Sequence, residues 1–283
     1  MMLFKKNADL EEYLLQQKQN RKQIGFVPTM GALHNGHLSL VESSRKDNSK
    51  TVCSIFVNPT QFNDPKDFEK YPVTIEKDIQ MLESSGCDIL FLPSVKEVYP
   101  EGLHEKSHYE LGYLETILEG KFRPGHFQGV CKVVHRLLDI VKPHNLYLGQ
   151  KDYQQCMVIT KLTELIGAKG SIRVNICPTL REPDGLAMSS RNMRLNKEER
   201  EKAPAIYQAL QHIKKNLQKG NVSELKENAI ATLQSKGIKV DYIEIANASS
   251  LQLINEFDGN TRLVAVAAAF INEIRLIDNL LLN

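Results

Sequence analysis

Two kinds of hydrophobic spacing follow one another along the chain. Up to about residue 178, nearly continuous apolar runs alternate with stretches that carry an apolar residue every three or four positions. Continuous runs are typical of strands covered on both faces of a parallel sheet, and the spaced pattern is typical of helices. Strands are predicted at residues 23–28, 50–57, 87–93, 145–149 and 171–177, and helices at 38–47, 74–85, 127–141 and 153–167. This alternation predicts right-handed crossovers and a doubly wound α/β parallel sheet, which binds ligands beyond the carboxyl ends of its strands.

The pattern changes after a loop rich in proline and glycine at residues 178–185. Helices are predicted next, and strand-like runs follow them; the helices span 197–218 and 223–236, and the runs span 239–246, 262–270 and 274–282. Helices followed by strands indicate a smaller α+β domain. We therefore expect a first domain at 1–178 and a second at 179–283.

Composition narrows the classes of partner. The 36 basic and 34 acidic residues give a net charge of +2, which argues against nucleic-acid binding through a basic surface. Five scattered cysteines without a C-x-x-C pair indicate reduced thiols. The N-terminus has no apolar signal segment, and the longest apolar run, 263–271, is too short to span a bilayer. We expect a soluble cytoplasmic protein with no membrane partner.

The segment after the first predicted strand is PTMGALHNGH, residues 28–37. Gly31 and Gly36 allow a tight turn, and His34 and His37 fall where a helix begins. Free backbone N–H groups and the helix dipole favour an anion at such a position. A metal pair or simple helix capping are the alternatives, and the metal is the weaker one because no third ligand lies nearby.

Two further segments carry neutral or basic side chains. IFVNPTQF, residues 55–62, offers Asn58 and Gln61 for recognising hydroxyls and carbonyls, or it is an ordinary polar turn. KFRPGHFQGV, residues 121–130, brings Arg123 and His126 near a helix N-terminus, or it is a structural connection.

Two more segments are suited to phosphate. In LGQKDYQQC, residues 148–156, Lys151 could neutralise phosphates, and Asp152 could accept from a ribose hydroxyl or cap the helix. LAMSSRN, residues 186–192, has two hydroxyls and a guanidinium that suit clamping of a polyphosphate, although a serine-rich linker is the alternative.

Together the five segments provide phosphate-binding groups at several strand ends without an evident nucleophile, base pair or metal cage. The sequence contains neither G-x-x-x-x-G-K-[ST] nor G-x-G-x-x-G, so a P-loop and an NAD-type Rossmann domain are both unsupported. Nucleotidyl transfer from ATP fits this inventory, because it needs positioning and charge neutralisation more than covalent catalysis.

The segments PTMGALHNGH, VNPTQF, RPGHFQGV, GQKDYQQ and REPDGLAMSSRN closely resemble, in order and spacing, those of the pantoate–β-alanine ligase (pantothenate synthetase) family. The resemblance is strong from about residue 22 to 195 and continues more loosely to the C-terminus, where IRLIDN also fits. That family belongs to the adenylate-forming nucleotidyltransferases, which are related in fold to class I aminoacyl-tRNA synthetases. HNGH is then similar to their HIGH-type signature, and MSSR is similar to their KMSKS-type loop.

The resemblance implies a two-step ligation. The carboxylate of pantoate attacks the α-phosphorus of ATP, giving pantoyl adenylate and pyrophosphate, and the amine of β-alanine then releases AMP and pantothenate. A carboxylate is already ionised at neutral pH, so the first step needs no base. The resemblance also implies a Rossmann-like first domain that binds nucleotide and pantoate, a second domain that acts as a lid, and a homodimer.

Roles for individual residues follow from the same resemblance. The ATP-binding positions are Met30, Gly31, Ala32, Leu33, His34, Asn35, Gly36, His37, Gly149, Gln150, Lys151, Asp152, Leu180, Met188, Ser189, Ser190 and Arg191. The catalytic positions among them are His34, His37, Lys151, Ser189, Ser190 and Arg191, with His37 the family's proton donor. Pantoate is expected on Gln61 and Gln155, and β-alanine on Gln61.

Two positions depart from the family pattern. Gln150 stands where the family usually has Glu, and it is expected to contribute backbone rather than charge. Magnesium is expected mainly on the phosphates, with Asp78 as the candidate protein ligand, because Lys77 occupies a neighbouring position that can be acidic elsewhere.

Two other interpretations compete with this one. A nucleotidyltransferase of the same fold that makes a CDP- or dephospho-CoA-type product would share the histidine segment but should lack NPTQF and KDYQQ. A non-catalytic nucleotide-binding or RNA-associated module is disfavoured by the near-neutral charge.

Overall fold

The computed structural model describes residues 1–63, 65–103 and 107–283, which form two compact units. Unit 1 comprises Met1–Gln150 and Gln154–Pro178, and unit 2 comprises Lys151–Tyr153 and Thr179–Asn283. The short segment 151–153 thus packs with unit 2, whereas the sequence-based division assigned it to the first domain.

Unit 1 is built on a parallel sheet of six strands in the order β1-β4-β3-β2-β5-β6. The strands are β1 (Met2–Phe4), β2 (Ile24–Thr29), β3 (Lys50–Ile55), β4 (Ile89–Phe91), β5 (Asn145–Gly149) and β6 (Arg173–Cys177). The predicted doubly wound α/β sheet is confirmed, as are its five predicted strands. Strand β1 was not predicted, because three residues at a sheet edge are too few to show a periodic pattern.

Helices cover both faces of this sheet. They are α1 (Asn7–Gln19), α2 (Asn35–Asp47), α3 (Pro65–Glu69), α4 (Ile75–Ser84), α5 (Val95–Val98), α6 (Tyr113–Thr116), α7 (Leu118–Phe122), α8 (His126–Val141) and α9 (Tyr153–Leu165). The four predicted helices are confirmed as α2, α4, α8 and α9. Helix α1 was missed because its sequence is dominated by polar residues, and only Leu10 and Leu14 are buried.

The core of unit 1 has one layer on each side of the sheet. Phe26 of β2 packs with residues of α1 and α8 on one side, and Val27 packs with residues of α2 and α4 on the other. Successive side chains of a strand point to opposite faces, so a strand buried on both faces must be apolar at every position. This accounts for the continuous apolar runs in the sequence.

Unit 2 has an antiparallel sheet in the order β7-β8-β9, with β7 (Lys239–Asn247), β8 (Leu263–Ile271) and β9 (Ile274–Leu281). Its helices are α10 (Lys197–Lys202), α11 (Ala205–Asn216) and α12 (Val222–Ser235). The prediction of a smaller α+β C-terminal region is confirmed. The prediction of one helix over 197–218 was wrong, since Pro204 separates α10 from α11 and has no N–H to continue the first helix.

Four of the five cysteines are buried and the fifth, Cys177, is partly buried; all five are free thiols. Burial raises the pKa of Cys87 to about 11 and that of Cys131 to about 12, and it also raises the pKa of Cys53 and Cys177. None of the helices in the described ranges combines the length and apolar character needed to cross a membrane.

Candidate active site

Three of the chemistry-bearing segments begin at neighbouring strands. Strands β3, β2 and β5 lie side by side and parallel in the centre of the sheet. Their carboxyl ends lead into residues 56–61, 30–37 and 150–155 respectively. The three segments therefore emerge at one edge of the sheet, which is where open α/β sheets bind ligands.

The loop before α2 is held in an uncommon backbone conformation. Gly31 and Ala32 have positive φ values of 83° and 47°. A side chain at Gly31 would be crowded, because a Cβ would lie 3.0 Å from Ile55 Cγ2 and 3.1 Å from Asp78 Oδ2. An alanine in the left-handed region costs free energy and persists only where surrounding contacts hold it.

Asp78 of α4 supplies those contacts. Its side chain is fully buried, and Oδ2 accepts from the N–H of Ala32 at 2.9 Å. The other oxygen, Oδ1, accepts from the N–H of Leu33 at 2.8 Å and from the hydroxyl of Thr74 at 2.9 Å. A carboxylate with three donors directed at it fits a brace for the loop and does not fit the magnesium ligand expected from the sequence. Within residues 1–63, 65–103 and 107–283, no three His, Cys, Asp or Glu side chains are grouped to hold a metal.

His34 and His37 form a reciprocal cap at the N-terminus of α2. His34 Nδ1 accepts from the N–H of Gly36 at 3.1 Å, and His37 Nδ1 accepts from the N–H of His34 at 3.3 Å. The ring centroids are 4.0 Å apart. The capping alternative is therefore realised, with imidazoles in the positions that Ser or Thr and Glu or Gln occupy in a capping box.

This cap also fixes the proton on each ring. A nitrogen that accepts a hydrogen bond carries no proton, so a neutral imidazole bound through Nδ1 must be protonated at Nε2. Both histidines are then Nε2–H donors. Six backbone N–H groups of the loop and the first helical turn already have protein acceptors; they belong to Gly31, Ala32, Leu33, His34, Gly36 and His37.

Gln61, at the end of the second segment, is oriented by a buried asparagine. Asn58 Nδ2 donates to Gln61 Oε1 at 3.1 Å and to Gly129 O at 3.2 Å. Asn58 Oδ1 accepts from the hydroxyl of Tyr99 at 2.8 Å. With its oxygen engaged, Gln61 turns its amide nitrogen to the sulfur of Met30, 3.1 Å away. The first and second segments thus meet at Met30 and Gln61.

The third segment, residues 121–130, forms hydrogen bonds to the backbone of the second, residues 55–62. Arg123 Nη1 lies 3.0 Å from His126 Nε2, and a guanidinium can only donate, so Nε2 accepts. The proton of His126 is therefore on Nδ1, which donates to the backbone oxygen of Gln61 at 2.8 Å. Arg123 also faces Glu119 at 3.6 Å. These contacts favour the structural interpretation of the segment.

Gly129 was missed as a functional position by sequence reasoning. A Cβ there would lie 2.3 Å from Thr60 O and 2.8 Å from Gln61 Cα. Only glycine lets α8 approach the backbone that carries Gln61 this closely. A glycine inside an otherwise regular apolar helix pattern was the signal available in the sequence.

Four residues of the fourth segment that belong to unit 1 are Gly149, Gln150, Gln154 and Gln155. The carbonyl of Gly149 accepts from the Cys156 thiol at 3.3 Å, and Gln150 begins a 3-10 turn that runs to Asp152. Gln154 is buried and bonded to α7 and its neighbourhood, for instance to the N–H of Glu119 at 3.0 Å. Gln155 is half-buried, and within the described residues its side chain makes no hydrogen bond.

In unit 2, Lys151 is fixed through its backbone. Its carbonyl accepts from Asn279 Nδ2 at 2.8 Å, and its ammonium lies 3.6 Å from Asp152 Oδ1. Asn279 is almost fully buried in β9.

The fifth segment is a hairpin followed by a 3-10 turn. The N–H of Met188 donates to Leu180 O at 3.1 Å, which closes the hairpin. Ser189 caps the turn Ser190–Arg194 by accepting from the N–H of Arg191 at 3.3 Å, so the capping alternative is realised for this serine. Ser190 is buried, whereas 41% of Leu180 is exposed.

The hairpin is tied to β9 by an ion pair that sequence reasoning missed. Arg181 donates to Asp278 from both terminal nitrogens, at 2.7 and 2.9 Å, and its guanidinium lies 3.8 Å above the ring of Tyr207. Burial raises the pKa of Asp278, and the charge of Arg181 works in the opposite direction. Two adjacent polar residues, Asp278 and Asn279, in a mainly apolar strand were the available signal.

A parallel sheet whose central strands end in a helix N-terminus capped by two histidines and in carboxamide side chains is typical of the ligand-binding edge of an α/β enzyme. The family model of pantoate-beta-alanine ligase matches residues 2–281 of the chain. A pantothenate synthetase of Cytophaga hutchinsonii is 45% identical, with 96% of each chain covered.

Solved structures agree. The pantothenate synthetase of Thermus thermophilus matches with a TM-score of 0.90 at 39% identity, covering 99% of each chain. The pantoate-beta-alanine ligase of Francisella tularensis, complexed with beta-gamma ATP and beta-alanine, matches with a TM-score of 0.82 at 39% identity, covering 99% of this chain and 97% of that one. The chain therefore belongs to the pantoate–β-alanine ligase family, whose known reaction is an ATP-dependent ligation.

Proposed function

We propose that the chain joins pantoate and β-alanine in two steps at the site described above. The carboxylate of pantoate attacks the α-phosphorus of ATP, and pyrophosphate leaves with the electron pair of the broken P–O bond. The amine of β-alanine then attacks the acyl carbon of pantoyl adenylate, and AMP leaves as the amide forms.

The observation that carries the proposal is the reciprocal cap of His34 and His37, in which Nδ1 of each ring accepts from a backbone N–H. Nε2–H donors on His34 and His37 at a helix N-terminus suit the phosphates of ATP, where negative charge increases as pyrophosphate departs. Met30, Asn35 and Gly36 complete this stretch of the nucleotide site. Because a carboxylate nucleophile is already ionised, donors are what the first step requires, and no base is needed.

Gln61 and Gln155 bind the two substrates that are joined, pantoate and β-alanine. Gln61 is held by Asn58 and by its contact with Met30, so its amide presents a fixed orientation to pantoate and β-alanine. Gln155 is the second pantoate ligand, with a side chain that no protein hydrogen bond occupies in the described residues. Neutral amides suit the hydroxyl and carbonyl groups of these substrates.

Unit 2 contributes the cationic side. Lys151 neutralises phosphate charge, and Ser189, Ser190 and Arg191 grip the pyrophosphate that leaves. Gly149, Gln150, Asp152, Leu180 and Met188 line the nucleotide. In this proposal unit 2 acts as the lid that closes over ATP.

Magnesium enters with its substrate, as the ATP complex, carried on phosphate oxygens. The three hydrogen bonds to Asp78 support this assignment, since they engage both oxygens of that carboxylate. We also expect a homodimer in the cytoplasm, and light scattering on the purified protein tests the oligomeric state.

A labelling experiment tests the two-step reaction. Purified protein is supplied with ATP, magnesium, β-alanine and pantoate whose carboxylate carries 18O. Attack by the carboxylate transfers one labelled oxygen to the phosphate of AMP, which mass spectrometry detects, and pyrophosphate is the other product. ADP with inorganic phosphate would contradict adenylate formation, and product that does not depend on β-alanine would contradict the substrate assignment.

A further inference from the structure

Two consecutive residues of β9, Asp278 and Asn279, contact the two parts of unit 2 that we propose to bind phosphate, the 180–191 segment and Lys151. Asp278 binds Arg181 of the hairpin with both oxygens. Asn279 donates to the carbonyl of Lys151 at 2.8 Å. The hairpin and Lys151 are therefore attached to neighbouring positions on one strand.

The side chains of Asp278 and Asn279 lie on opposite faces of β9. Asp278 shares its face of β9 with the core residues Ile274 and Leu276, so it lies on the side that packs against the helices of unit 2. Asn279 points to the opposite face, because successive side chains alternate. The ion pair and the lysine contact are thus on different sides of β9, joined by a single peptide unit.

Further hydrogen bonds connect Arg181 with the backbone around Asp278 and Asn279. Arg181 Nη2 donates to the carbonyl of Asn279 at 3.1 Å, and Nη1 donates to the carbonyl of Gly185 at 3.0 Å. The N–H of Asn279 in turn donates to Asp278 Oδ1 at 2.7 Å. One guanidinium therefore reaches the hairpin turn, the buried carboxylate and the residue that holds Lys151.

We infer that Arg181, Asp278 and Asn279 are positioning residues that hold Lys151 and the 180–191 segment in one fixed arrangement. None of the three needs to touch ATP. Their contacts set where the ammonium of Lys151 stands when the α-phosphorus is attacked, and a small misplacement of such a charge is costly in rate. The inference rests on the proposed phosphate role of Lys151.

Asn279→Ala is the variant that separates positioning from folding. It removes the side-chain contacts of Asn279, among them the hydrogen bond to Lys151, and keeps both partners of the ion pair. We expect kcat for pyrophosphate release to fall about 10- to 100-fold, with the KM for pantoate within about twofold of the wild-type value. Asn221→Ala is the matched control, since Asn221 Nδ2 also donates to a backbone carbonyl of unit 2, that of Asn216 at 2.8 Å. We expect the control to keep wild-type kcat.

The same substitution in a Lys151→Ala background is the decisive measurement. If Asn279 acts through Lys151, its removal there should change the residual rate by less than about twofold, because coupled residues are not additive. An equal loss in both backgrounds would overturn the inference and indicate a general structural role. Unchanged kcat for Asn279→Ala would overturn it as well.

Thermal unfolding and the rate of Lys151→Ala separate the positioning role of Asn279 from loss of fold and from the proposed role of Lys151. Thermal unfolding of each variant identifies loss of fold, and Asn279→Ser, which keeps a polar group but cannot reach the Lys151 carbonyl, replaces the alanine variant if that one does not fold. If Lys151→Ala retains the wild-type rate, the proposed role of Lys151 fails. If Lys151→Ala is impaired and the Asn279 variants are not, only the positioning role fails.

Discussion

Unit 1 and unit 2 hold their candidate site residues by different interactions. In unit 1, His34, His37 and Gln61 are oriented by neutral hydrogen bonds from the backbone and from Asn58. In unit 2, the 180–191 segment is anchored by the buried pair of Arg181 and Asp278.

The difference determines how each region responds to substitution. A neutral hydrogen bond contributes about 0.5–1.5 kcal/mol, whereas removing one partner of a buried ion pair costs about 3–5 kcal/mol because a charge is left without a partner. We therefore expect that His34 and His37 of unit 1 can be replaced by other helix-capping residues without loss of the fold. In unit 2, function is best probed beside the ion pair rather than in it.

The largest effect is expected from the double variant His34→Asn with His37→Gln. Asn is a preferred N-cap and Gln a preferred partner in the capping box, so the helix start is preserved. The carboxamide N–H groups of Asn and Gln do not occupy the positions of the two imidazole Nε2–H groups, so the donors to phosphate are displaced. We expect the rate of adenylate formation to fall by about 10³-fold.

Pyrophosphate release and thermal unfolding are measured together for this variant. A wild-type rate with unchanged stability would mean that the histidines serve only as caps. A large loss of stability would mean that the neutral hydrogen bonds of unit 1 are less replaceable than their ordinary strength implies.

The next largest effect is expected from Lys151→Ala. Removal of one electrostatic contact to the reacting phosphates typically costs on the order of 10²–10³ in rate. Pyrophosphate release measures the loss, with Lys215→Ala as the control, since Lys215 is an exposed residue of α11. A fully active Lys151→Ala protein would contradict the proposed role of Lys151 in neutralising phosphate charge.

A smaller effect is expected from Gly129→Ala. The added methyl group cannot fit beside Thr60 and Gln61, so α8 or the Gln61 turn must shift. We expect the KM for pantoate to rise about tenfold and the free energy of unfolding to fall by about 1–3 kcal/mol.

Gly170→Ala is the control for this prediction, because a Cβ there meets no atom within 4 Å. Steady-state kinetics and urea denaturation compare the two. An unchanged KM in a destabilised Gly129→Ala protein would show that the packing of α8 supports the fold and not the orientation of Gln61.

The smallest effect concerns the opposite end of the unit 1 sheet. His144 Nδ1 accepts from the N–H of Ile24, and burial lowers the pKa of His144 below its ordinary value of 6.5. The unfolded chain then binds more protons than the folded one as the pH falls past 6.5, so this contribution to stability is present above that pH and is lost below it.

His144→Asn keeps an acceptor for Ile24 and removes the titrating group. The difference in free energy of unfolding between wild type and this variant should decrease as the pH is lowered from about 7.5 to 5.5, measured by urea denaturation. A difference that does not change with pH would contradict the assignment.

The sequence was sufficient for the fold class because both faces of the unit 1 sheet are buried, which makes β2, β3 and β5 continuous apolar runs. It was not sufficient for β1 or α1. The first is three residues long and depends on pairing with β4, and the second buries only two leucines. Pro204 was a visible breaker within the predicted long helix, and its effect was underestimated.

The local structure of a candidate segment was predictable where its motif is distinctive. HNGH, for example, predicts a helix start, and α2 begins at Asn35. The partners of the supporting residues were not predictable, since Asp78 and Gly129 contact segments far away in the chain. Hydrogen bonds across 45 or 71 positions, such as those from Leu33 to Asp78 and from Asn58 to Gly129, leave no local pattern to read.

The buried thiols make the protein a convenient subject for spectroscopic labelling. A thiol reacts as the thiolate, and burial keeps Cys53, Cys87, Cys131 and Cys177 protonated at neutral pH. A single cysteine introduced at Met193, which is 56% exposed at the end of the 190–194 turn, would therefore react with a maleimide dye well ahead of them. Such a label would report on the 190–194 turn, which includes Ser190 and Arg191, while ATP binds, without prior removal of the native cysteines.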